Sequence, residues 1–74
     1  GAAWLKDLDV SMVFTSYHSQ NAWAHLSGLG WKKLQPGAPD GVTNLFLILC
    51  APAANRQKVN VLLDGAHISQ AYNT

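Results

Sequence analysis

Seventy-four residues make one domain, and a core that small is marginal without a disulfide, a metal or a partner chain. A single cysteine excludes an intrachain disulfide. Three scattered histidines (His18, His25, His67) with no Cys-x-x-Cys pair argue against structural zinc, which leaves oligomerisation. Five Lys/Arg against four Asp give a net charge of +1, and only 12% of residues are charged while 49% are hydrophobic; the basic stripe of a nucleic-acid binder is missing, and the composition suits surface buried against another chain.

The first element reads from about Leu8 to Thr15. Leu8, Val10, Met12 and Phe14 alternate with Asp9, Ser11, Val13 and Thr15, the period-2 pattern of a strand with one buried face. Ser16 to Asn21 is a polar loop. A second strand spans Asn21 to Ser27, with Ala22, Ala24 and Leu26 on one face and Trp23 and His25 on the other. Gly28 and Gly30 punctuate the chain, fitting a bulge or a corner where a sheet bends, and a third strand carries Trp31 to Leu34.

Gln35-Pro36-Gly37-Ala38-Pro39 is a loop by composition. Asp40 is the expected N-cap of a helix running from about Gly41 to Ala54. Val42, Leu45, Phe46, Leu49 and Cys50 form one apolar stripe, and Leu47, Ile48 and Ala51 lie outside it, so the helix should be buried on more than one side. Pro52 must either kink or end it. Lys58 to Leu63 reads as a strand with Val59, Val61 and Leu63 on one face. Asp64-Gly65 signals a type I′ hairpin, and Ala66 to Tyr72 is the returning strand.

The resulting order is strand, strand, strand, helix, strand, strand over residues 1–74. It predicts an α+β, mostly β domain: a five-stranded barrel of the OB type with one central helix. The longest apolar run, Leu45 to Ala51, is seven residues, far short of a membrane span. Beginning at Gly1 rather than Met, the chain reads as a processed product that has already lost any signal peptide.

The order of elements, and above all the apolar helix leading into Ala54-Asn55-Arg56-Gln57-Lys58-Val59-Asn60-Val61, resembles the pentameric B subunits of AB-type bacterial toxins of the pertussis-like and subtilase-like kinds. The segments Ser19 to Trp23 and Gly41 to Asn44 also look like those of small stand-alone bacterial proteins. The resemblance implies an OB fold, a homo-oligomeric ring of five with the helices lining its centre, a glycan bound by each protomer, and a secreted or periplasmic bacterial location; a partner chain held in the ring belongs to the alternative of an accessory protein. Toxin B subunits usually carry an intrachain disulfide, which this chain lacks, and the missing disulfide points to a stand-alone relative without a toxic A partner. None of their sugar-contacting residues is carried over.

The residues themselves single out one segment. Tyr17, His18, Ser19, Gln20 and Asn21, with Trp23 just beyond, combine aromatic faces for C–H stacking with hydroxyl, amide and imidazole groups for sugar hydroxyls. The plainer reading is a loop whose side chains cap their own backbone. Trp23, His25 and Trp31 share a face suited to a protomer interface. Cys50 sits among apolar residues and is structural. No catalytic trio has motif context, and with no Glu the acids are Asp7, Asp9, Asp40 and Asp64. The expectation is therefore a non-enzymatic, lectin-like binding module with no metal or cofactor. The alternatives are an accessory ring protein of the same fold without a sugar site, or an OB-type nucleic-acid binder using its aromatics as stacking platforms.

Overall fold

A computed structural model of the full chain, Gly1–Thr74, contains in chain order β1 (Ala2–Thr15), β2 (Ala22–Leu26), β3 (Gly30–Leu34), α1 (Pro39–Asn55), β4 (Lys58–Asp64) and β5 (His67–Asn73). β1 starts well before Leu8 and is long enough to serve two neighbours. Its first half pairs antiparallel with β4, from Ala2↔Asp64 to Asp9↔Lys58. Its second half pairs antiparallel with β2, from Val10↔Leu26 to Thr15↔Ala22.

Two register shifts let one strand turn that corner, one between Leu5 and Leu8 and one between Val10 and Met12. An extra residue in a ladder bends the strand and reverses the faces beyond it. The second shift corrects the expected pattern. Val10 points inward, but past Ser11 the inward residue is Val13, opposite buried Ala24, while Met12 and Phe14 are each 50% exposed on the outside. At the first shift Asp7 adopts a left-handed φ of 57°, and its amide donates to Asn60 Oδ1 at 2.9 Å. Asn60 is the buried polar side chain of β4, so the bulge satisfies it.

In space the strands follow the order β1-β2-β3-β5-β4, closing into a barrel through β4 and β1. This differs from chain order because β5 inserts between β3 and β4. β5 pairs antiparallel with β4 and parallel with β3 through Lys33↔His67 and Leu34↔Ile68, where Gln35 N donates to Ile68 O at 2.8 Å. Parallel pairing needs a long crossover, and α1 lies within it. The β2–β3 connection is a hairpin turn rather than a sheet corner: Leu29 N donates to Leu26 O at 2.9 Å, with Gly28 left-handed. In the terminal hairpin Asp64 pairs with His67, so the turn is Gly65-Ala66. Only Gly65 has positive φ, 63°, which is the pattern of a II′ turn rather than the expected I′.

The helix starts earlier and ends later than expected. Asp40 is not its cap: the N-cap position is Ala38, with no side-chain hydrogen bond, and Pro39 occupies the first turn, where its missing N–H has no partner to lose. Asp40 sits in that first turn, where its charge suits the positive end of the helix. Pro52 does not end α1; the helix continues to Asn55 and Pro52 is buried. Nor is the helix covered all round. Val42 and Leu49 are buried, Leu45, Phe46 and Ile48 pack half-buried on the core, and Leu47 is 66% exposed.

Every element supplies the core. Val10, Ala22, Ala24, Leu26, Leu34, Val59, Val61 and Ile68 fill the barrel, and Val42 and Leu49 seal it from α1, which lies chiefly across β1 and β5. The expected Ala22/Ala24/Leu26 face of β2 is buried. No helix is long and apolar enough to cross a membrane.

Candidate functional site

The loop Ser16–Asn21 leaves β1 and returns into β2 beside the N-terminal half of α1. Between loop and helix lies a cleft of about 260 Å³ lined by Thr15, His18, Gln20, Asn21, Ala22, Pro39, Val42, Thr43 and Phe46. Ala22, Val42 and Phe46 give it an apolar part, and most of the remaining lining is polar.

The loop holds itself. Thr15 Oγ1 donates to Asn21 O at 2.9 Å, and Asn21 N donates to His18 O at 3.3 Å. Ser16 Oγ accepts from Asn21 Nδ2 at 2.8 Å and from His18 N at 3.2 Å. Those two bonds use both lone pairs of the hydroxyl, so its own O–H donates to His18 Nδ1, 3.0 Å away. In the neutral ring this assigns the proton to Nε2, which is left as a free donor. Gln20 sits at a left-handed φ of 57°, and its Oε1 accepts from Gly37 N, tying the loop to the segment that enters α1. Its amide nitrogen stays free.

The six residues singled out from the sequence divide. His18, Gln20 and Asn21 line the cleft. Tyr17 stands at the loop tip, 93% exposed, its ring 4.3 Å from that of His18 at a 30° tilt. Ser19 is exposed and lines nothing. Trp23 belongs to another surface: it lies outside the barrel, paired with Phe14 and Lys33, with Lys33 Nζ 5.7 Å from its ring centre. It touches the loop only by donating Nε1–H to Asn21 Oδ1 at 2.9 Å. The expected face shared by Trp23, His25 and Trp31 exists on this outer sheet, with the His25 and Trp31 rings 5.3 Å apart edge to face.

Sequence reading missed the helix wall. Pro39, Thr43 and Phe46 recur at helical spacing, as do Val42 and Phe46, so their sharing a face was legible. That this face meets the loop was not. No cluster of three or more His, Cys, Asp or Glu side chains is placed to hold a metal ion.

Fold and site together define a small closed β-barrel sealed by one helix, with a cleft of mixed polar and apolar lining where a self-braced loop meets the start of that helix. No family model matches the chain, and no curated protein and no solved structure matches it.

Proposed function

We propose that the chain is a non-enzymatic, oligomeric binding module of OB-type fold, each protomer taking a glycan in the cleft between the Ser16–Asn21 loop and α1. The OB-type reading is supported by a closed barrel in which β1 serves both β2 and β4, β3 lies parallel to β5, and the helix falls between β3 and β4. A ring of five and a secreted or periplasmic bacterial setting are what the likeness to toxin B subunits adds.

One observation carries the glycan reading: the loop is ordered by its own bonds yet leaves His18 Nε2 and the Gln20 amide nitrogen unspent at the cleft, with Tyr17, its ring tilted on that of His18, exposed at the adjoining loop tip. Preorganised donors beside an aromatic face suit a sugar, whose hydroxyls need partners and whose C–H face needs a platform. A cleft of about 260 Å³ accommodates a single sugar unit rather than a long chain. Weak sites repeated on one ring raise avidity by about 10²–10⁴.

A glycan array at low and high salt tests this. The wild-type protein should bind at both, and Tyr17→Ala should keep fold and assembly while losing the signal. No glycan bound at either salt overturns the reading in favour of an accessory ring protein. Binding of single-stranded nucleic acid that falls steeply with salt overturns it in favour of stacking on Trp23 and Trp31.

A further inference from the structure

A second cleft, of about 400 Å³, lies at the other end of the seam between α1 and the β1–β2 pair. A helix of 17 residues separates the two ends by roughly 25 Å, so this one is independent of the glycan site. It is lined by Asp9, Val10, Ser11, Ser27, Pro52, Ala53 and Arg56.

Three features of its residues bear on chemistry. Ser11 is the extra residue of the β1 bulge, and its Oγ lies 2.9 Å from Ser27 Oγ and 3.2 Å from His25 Nδ1. Bulges re-aim side chains, and this one joins a hydroxyl pair to an imidazole. Asp9, which lines the cleft, pairs with Lys58 Nζ at 2.8 Å, the chain's one ion pair, with both side chains half exposed. Arg56 makes no ion pair, so Asp9, Lys58 and Arg56 together leave a net charge of +1 around a cleft whose own lining holds Asp9 and Arg56. Arg56 also holds the left-handed cap of α1, φ 55° and ψ 37°, a conformation that glycine takes without steric cost. The helix end there presents partially negative carbonyls, which oppose an anion, so the attraction has to come from the Arg56 guanidinium.

We infer that this cleft is an anion-binding site, holding a carboxylate or phosphate group between the Arg56 guanidinium and the Ser11–Ser27 hydroxyl pair. Guanidinium matches both oxyanions through paired N–H donors, and with His25 Nδ1–H donating to Ser11 Oγ and Ser11 donating to Ser27 Oγ, the Ser27 hydroxyl hydrogen is left as a third donor.

The experiment is an amide-resolved NMR titration of the whole chain at fixed pH, with sodium phosphate and sodium acetate in separate arms and sodium chloride at matched ionic strength as the control. Saturable shifts at Ser11, Ser27 and Arg56 are expected with phosphate, acetate or both, and which of them acts tells the two oxyanions apart. Arg56→Gly should keep or raise the melting temperature and weaken binding about tenfold or more, since it removes a charge-assisted contact. The site is overturned by shifts equal to those in chloride, by shifts centred on residues 16–21 instead, or by an Arg56→Gly protein that binds as tightly as wild type. Glycan binding at Tyr17 should be unaffected by Arg56→Gly, so failure of either site leaves the other standing.

Discussion

Asn60 shows how one residue settles a local conflict. β1 must bend to serve two strands, and the bend leaves the Asp7 amide out of the ladder. Asn60, 4% exposed, supplies the missing acceptor. Asn60→Ala removes that acceptor and leaves a part-buried N–H poorly paired, at a cost of about 1–3 kcal/mol. Urea unfolding should show the midpoint falling with an unchanged slope; an unchanged midpoint would mean the bulge does not depend on Asn60. The surface pair Lys58–Asp9 contributes far less, because both side chains are half exposed and water screens them.

At the scale of elements, the β1 bulge at Ser11 decides which residues are core. Strict alternation places Met12 and Phe14 inside; the bulge places Val13 inside instead. The two arrangements give opposite mutational outcomes. Met12→Asp puts a charge on the outer face of the barrel and should change the stability of the protomer's own fold by no more than about 0.5 kcal/mol. Val13→Asp drives a carboxylate toward Ala24 and should cost about 2 kcal/mol or more. Thermal melts of the two variants decide the matter, and a larger loss for Met12→Asp would contradict the register. The strand pairing also explains why Trp23 is not part of the cleft. On β2 the buried residues are Ala22, Ala24 and Leu26, so Trp23 and His25 must face out.

For the whole molecule, the question is whether so small a core stands alone. The core cluster holds 10 residues, while Trp4, Met12, Phe14, Leu29, Trp31, Leu47 and Tyr72 remain substantially exposed. That much apolar surface with so little charge motivates assembly. Native mass spectrometry should find an oligomer, five protomers on the reading proposed above, and a stable monomer at micromolar concentration would remove the ring. Within the helix, Leu47 and Ile48 separate assembly from folding. Leu47→Asp, at a 66% exposed site, should leave the fold intact and dissociate the oligomer. Ile48→Asp strikes a residue packed on the core and should lower the melting temperature of the protomer itself. An assembled Leu47→Asp variant would show that this face of α1 is solvent-exposed in the protein as it exists.

The element types, their chain order and the buried Ala22/Ala24/Leu26 face were legible in the sequence, because each follows from the spacing of apolar side chains within a few residues. So was Ser16 to Asn21 as a loop, since it is an unbroken polar run between two apolar-patterned strands. What lay beyond reach depends on contacts far apart in the chain. The face of Met12 and Phe14 is set by an extra residue opposite β2, and the start of β1 by its pairing with β4, some 50 residues away, as the Asp7–Asn60 bond at a separation of 53 illustrates. The helix ran through Pro52 because burial against the barrel outweighed a lost hydrogen bond, a balance that no local propensity contains. The cleft is likewise tertiary: its two walls are a loop ending at Asn21 and a helix beginning at Pro39, and only closure of the barrel brings them face to face.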